Sequence, residues 1–148
     1  MKDIIKIVIK SSSNSCNRKE TYHDKIAITK ESITYEYRPL IESQTNPSRK
    51  WLYKTNSPIF LSKYEELKAL FPKIKEKPID HCHVDTNNIE FIITYSDNSQ
   101  QYITFLVSSN YFEPEFKIIK SMVPECEYTP AVLLASEDFK KMNIKACE

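Results

Sequence analysis

Asp80-His81-Cys82-His83 is the one cluster of metal-ligating residue types in the sequence. On a strand, alternation puts His81 and His83 on one face and Cys82 on the other, so two imidazoles can share an ion. A tetrahedral site needs two more ligands, and those would have to come from distant positions such as Cys16, His23 or Cys126. The plainer reading is the polar residues of an edge strand. Cys82 and His83, being adjacent, face opposite ways and do not make a thiolate–imidazole pair. Glu65-Glu66 and the acids Glu125 and Glu127 suit solvated helix surfaces or loops, and no acid/base pair emerges from them. Arg38, Arg49, Lys50 and Lys54 stand beside Tyr35, Tyr37, Trp51 and Tyr53, the mixture that nucleic-acid binders use for phosphate contact and base stacking.

Composition removes several classes outright. There is no glycine in 148 residues, where ordinary usage would supply about ten. Phosphate-cradling loops and dinucleotide-binding turns need glycine for positive φ and for close backbone approach. The nucleophile elbow of α/β-hydrolases needs it for steric reasons. Positive-φ turns fall instead to Asn or Asp, and Asn14, Asn87-Asn88 and Asp97-Asn98 are the expected places. Cys16, Cys82, Cys126 and Cys147 are far apart with no Cys-x-x-Cys pair, so reduced thiols are expected, two disulfides remaining open in an oxidising compartment. No apolar run reaches the ~20 residues of a membrane span, and Met1-Lys2-Asp3 leads directly into a strand pattern without a signal-like segment. The expected address is the cytoplasm.

The size and a 41% hydrophobic content suit one α+β domain over residues 1–135, with a tail over 136–148 that is helical or mobile. The net charge of +1 divides unevenly: residues 1–77 hold 16 Lys/Arg against 9 Asp/Glu, and residues 78–148 hold 5 against 11. Either the halves complement each other inside the fold, or the basic half serves an anionic partner.

Ile5, Ile7 and Ile9 alternate with Lys6, Val8 and Lys10 as in a half-buried strand, and a polar loop is expected from Ser11 to Tyr22. Strand patterns recur at 25–30, 32–38 and 50–54, then at 81–84, with a hairpin of 89–95 and 101–107. Ser57-Pro58 opens a helix whose stripe is Phe60, Tyr64, Leu67 and Phe71, and which Pro72 closes. A second helix runs from Glu113 to Met122, its acids first and its lysines last, before Pro124. Val132-Leu133-Leu134 suits a last edge strand or short helix.

Laid over itself at an offset of 52, the chain matches Phe60 with Phe112, Tyr64 with Phe116, Leu67 with Ile119, Trp51 with Ile103 and Tyr53 with Phe105. This predicts a duplicated ββα unit, about 32–72 and 89–124, in an antiparallel sheet of six or seven strands with two helices on one face. Matching Tyr35 with Tyr95 gives the first copy eight extra positions, within Glu42 to Arg49. Arg38, Asn46, Arg49 and Lys50 are therefore the candidate binding residues.

Ile33-Thr34-Tyr35-Glu36-Tyr37, Asn46-Pro47-Ser48-Arg49-Lys50-Trp51, Tyr53-Lys54-Thr55-Asn56-Ser57-Pro58 and Ile119-Lys120-Ser121-Met122-Val123-Pro124 together resemble a group of small uncharacterised bacterial proteins, over roughly 24–125. Members of that group tend to carry glycine where this chain has Asn87-Asn88. The resemblance implies the fold and no activity. The leading functional expectation is a non-catalytic macromolecule-binding protein, adaptor- or inhibitor-like, with another protein as partner, no cofactor and no membrane. A nucleic-acid-associated protein using the basic half is the alternative, and a metal-dependent enzyme using His81 and His83 comes third.

Overall fold

Period-two apolar patterning makes strands whose alternate residues share one face, and here that pattern recurs through the first 54 residues before helical spacing replaces it. The computed structural model describes residues 2–13, 22–45, 47–76, 86–108 and 112–122. The strands are β1 (Ile4–Ser13), β2 (Tyr22–Thr29), β3 (Ser32–Pro39) and β4 (Arg49–Lys54), followed by α1 (Pro58–Leu70) and a 3-10 turn (Phe71–Glu76). Then come β5 (Thr86–Tyr95), β6 (Gln100–Ser108) and α2 (Glu113–Met122). One antiparallel six-stranded sheet has the order β4-β3-β2-β1-β5-β6, which makes the fold α+β.

Register fixes which side chains face the helices. Ile7 pairs with Ile28 and Ile93, and Ile9 pairs with Ile26 and Phe91. Ile33 and Tyr35 extend the same layer onto β3. All of these join Phe60, Tyr64 and Leu67 of α1 and Phe116 and Ile119 of α2 in one core. Phe112, at the entrance to α2, packs edge-on against Phe91 and Phe105 at ring-centroid distances of 4.9 and 5.0 Å. Such contacts add roughly 0.5–1.5 kcal/mol each beyond burial.

Helix α1 starts where the sequence places it. The Ser57 hydroxyl accepts the Ile59 N–H at 3.2 Å, and Pro58 occupies the first turn, where a missing donor costs nothing. Its end differs from expectation. The Phe71 N–H bonds the Lys68 carbonyl, so the chain tightens into a 3-10 turn that runs through Pro72 and delivers Ile74 to the core.

Half a turn about an axis normal to the sheet, between β1 and β2, carries β3 and β4 onto β5 and β6 in order and direction, and each hairpin is followed in the chain by a helix. That is the arrangement a duplicated ββα unit requires. Strand pairing corrects the internal alignment, however. Trp51 pairs with Tyr35 and Ile103 with Phe91, so Tyr35 corresponds to Phe91, not Tyr95, and the first copy has four extra positions, not eight.

Two local expectations also change. Ile5 is exposed because an irregularity between Ile4 and Lys6 shifts the register, and Ile4 packs on the core in its place. Asn87 and Asn88 lie within β5, paired to Ser13 and Ser12, so they form no turn. The segment expected as a loop from Ser11 contributes Ser11 to Ser13 to β1 and Tyr22 to β2. The expected strand at 81–84 and everything after Met122 lie outside the described residues.

The β5–β6 hairpin closes without glycine. Asn98 takes φ 66°, its N–H bonding the Tyr95 carbonyl while the Tyr95 N–H bonds Ser99, the geometry of a type I turn with a bulge. Asp97 accepts from the Ser99 hydroxyl and backbone and pairs with Lys2 at 3.0 Å, and these contacts, the Ser99 hydroxyl first, hold its pKa down to about 2. Asn98→Val should lower stability by about 1–2 kcal/mol, since branched residues resist the left-handed region, whereas Asn98→Gly should not lower it. Urea midpoints of the two variants check this.

Candidate functional site

Alternation that sends one set of side chains under the helices leaves the other set on a face that no described helix covers. Register arranges that open face into rows running across the strands. One row is Leu52, Thr34, Ala27, Val8, Ile92 and Tyr102, largely apolar and spanning all six strands. Val8 is buried among its neighbours, while Leu52 and Tyr102 at the two ends are exposed. The next row is Lys50, Glu36, Lys25, Lys10, Glu90 and Thr104, and beyond it stand Arg38, His23, Ser12 and Asn88.

The two polar rows line a shallow groove of about 610 Å³ that includes Lys10, Ser12, His23, Lys25, Arg38 and Glu90. Lys10 and Lys25 are directly opposite each other, a like-charge pair that costs stability in a sheet. Glu36 is held by Lys50 at 3.3 Å. Among the described strand residues, the open face carries Lys6, Lys10, Lys25, Arg38, Lys50 and Lys54 against Glu36 and Glu90. Every one of these cations comes from β1 to β4, so the charge asymmetry of the sequence becomes a basic half of one face.

Of the sequence-predicted site residues, Arg38 and Lys50 lie on this face and Arg38 lines the groove. Arg49 pairs with Tyr37 in β4. Asn46, the metal candidates His81 and His83, and all four cysteines fall outside the described residues. Among the described residues, no three His, Cys, Asp or Glu side chains gather as metal ligands. No described helix is long and apolar enough to cross a membrane. Glu65 and Glu66 are exposed on α1, paired with Lys68 and Lys63.

The stacking platform suggested by the sequence does not form with Tyr35 and Tyr37. Both are buried against the helices, and Tyr53 packs on Phe60 at 6.1 Å, so these rings lie on the other side of the sheet from Arg38 and Lys50. Sequence reasoning missed Lys10, Ser12, His23, Lys25 and Glu90, which come together only through cross-strand register.

It also missed Asp24, a carboxyl on the apolar phase of β2 between Tyr22 and Ile26. Asp24 is fully buried. Its Oδ2 accepts the Tyr35 hydroxyl at 3.5 Å, Ser11 lies opposite, and Oδ1 has no hydrogen-bond partner among the described residues. Burial outweighs the help of Tyr35 and Ser11 and pushes its pKa up to about 8. Tyr22, desolvated beside Asp24 and Tyr37, is pushed up as well.

Comparison with protein-family models, with curated proteins and with solved structures finds no match.

Because Asp24 titrates near 8 when folded and near 3.9 when unfolded, the folded state binds the extra proton between those values. Its contribution is therefore full below about pH 4 and is lost as pH rises toward 8, by at most about 1.4 kcal/mol per pH unit. Asp24→Asn should flatten that slope in urea unfolding followed from pH 4.5 to 8.5, and should be more stable than the parent at the alkaline end.

Proposed function

We propose that this protein is a non-catalytic binding protein, adaptor- or inhibitor-like, that receives an acidic protein surface on the open face of its sheet. The observation that carries this reading is the make-up of that face: among the described strand residues, six cations against two carboxylates, beside a largely apolar row that crosses the sheet. Apolar area supplies affinity, and flanking charge supplies orientation and encounter rate. Glu36 and Glu90 among the lysines give the face a pattern, which suits a protein partner better than a uniform phosphate backbone. The burial of Tyr35 and Tyr37 counts in the same direction, because base stacking would need such rings on the cationic side.

The test compares the parent with a Lys10→Gln/Lys25→Gln/Arg38→Gln variant as immobilised baits, then titrates the captured protein in purified form. The expected partner is acidic at its contact surface. Its affinity falls at least tenfold for the variant and falls moderately with salt, while thermal stability stays within about 0.5 kcal/mol per site. Equal affinity for parent and variant contradicts the reading. Retention lost on nuclease treatment, with a steep salt dependence, would favour nucleic acid in its place.

A further inference from the structure

The two edges of the sheet are chemically unlike. β4 has six residues and carries Arg49, Lys50 and Lys54, charges of the kind that discourage strand addition. β6 has nine residues, with no charge, no proline and no glycine, and it is rich in the β-branched and aromatic types that favour strands. Its register with β5 runs unbroken from Thr86 opposite Ser108 to Thr94 opposite Gln100, so no bulge twists the edge away. Among the described residues, no strand pairs with its outer side.

The ladder shows which groups that edge offers. The Tyr95 N–H bonds the Ser99 carbonyl, which makes these two a hydrogen-bonded pair. Antiparallel pairs alternate in type, so Gln101, Ile103 and Phe105 exchange their bonds with β5. Gln100, Tyr102, Thr104 and Leu106 accordingly direct their backbone N–H and C=O groups to the outer side of β6, where no described strand pairs.

We propose that β6 is a self-association edge, through which a second copy of this chain pairs antiparallel and joins two six-stranded sheets into one. Charge selects this occupant and this edge. Pairing of β6 with itself about Thr104 uses the full strand and opposes no charges, whereas β4 paired with itself about Leu52 sets Lys50 against Lys54. The cations of the open face lie on β1 to β4, so joining at β6 keeps the two basic halves apart. The nearest, on β1 of each copy, are five strand spacings distant, roughly 24 Å at ~4.8 Å per spacing and well beyond the Debye length at physiological salt. In that register Tyr102, 61% exposed in the single chain, stands opposite position 106 of the second copy.

Sedimentation equilibrium of the purified full chain, with no partner present, tests this. The parent should show a concentration-dependent monomer–dimer equilibrium. Thr104→Pro removes an outward N–H and no bond to β5, and Thr104→Lys sets lysine opposite lysine. Each should weaken the dimer at least tenfold with an unchanged far-ultraviolet circular dichroism spectrum, and Thr104→Lys carries the test should the proline variant fold poorly. Leu52→Lys on β4 should dimerise as the parent does. A parent that stays monomeric into the high-micromolar range, or a Thr104→Lys variant that dimerises like the parent, would overturn the proposal.

Discussion

Burial of Ile7, Ile9, Ile26 and Ile28 beneath two helices is the constraint from which the other features follow. These four residues occupy the central strand pair, and a one-residue slip in either strand would move its set to the opposite face. Their phase sends Ile33, Tyr35 and Phe91 to the helices and Lys10, Lys25 and Arg38 away from them. The register that makes the core therefore also composes the open face. Asp24 shows the strength of the constraint, because it holds the apolar phase as a buried carboxyl kept largely protonated at neutral pH.

A strand order that is balanced about the central pair contrasts with marked asymmetry in the surface. The hairpins β3–β4 and β5–β6 flank the central pair in equivalent positions, and α1 and α2 add equivalent stripes to one core. Yet the cations of the open face come from β1 to β4, and the uncharged edge belongs to β6. Core packing demands that balance and is indifferent to the rest. Equivalent positions in the two flanking hairpins can therefore carry different outer residues without disturbing the core.

Whatever depends on local chemistry was legible in the residues. Ser57-Pro58 announced the start of α1, the run from Glu113 to Met122 gave α2 its bounds, and Asp97-Asn98 marked the one positive-φ residue among those described. What depends on pairing was not. Ile5 continues the alternation of Ile7 and Ile9, and only the irregularity beside Ile4 turns it outward. Tyr35 resembles Tyr95 in type, but Phe91 occupies its place in the hairpin. Arg38 and Lys50 were visible as a basic pair, while their neighbours Lys10, His23 and Lys25 lie on strands far removed in sequence. Asp24 left a readable trace, a carboxyl on the apolar phase of β2 between Tyr22 and Ile26.

Among the described residues the helices cover one side of the sheet and leave the other open, and solvent relaxation measured by methyl NMR with a soluble gadolinium chelate tests this most directly. The account predicts strong attenuation of the Ala27, Leu52 and Ile92 methyl signals, and little for Ile7, Ile26 and Ile93, which lie under the helices. Equal protection of the two sets would mean that the face bearing Lys10, Lys25 and Arg38 is covered, and would contradict both its composition as a binding surface and the function drawn from it.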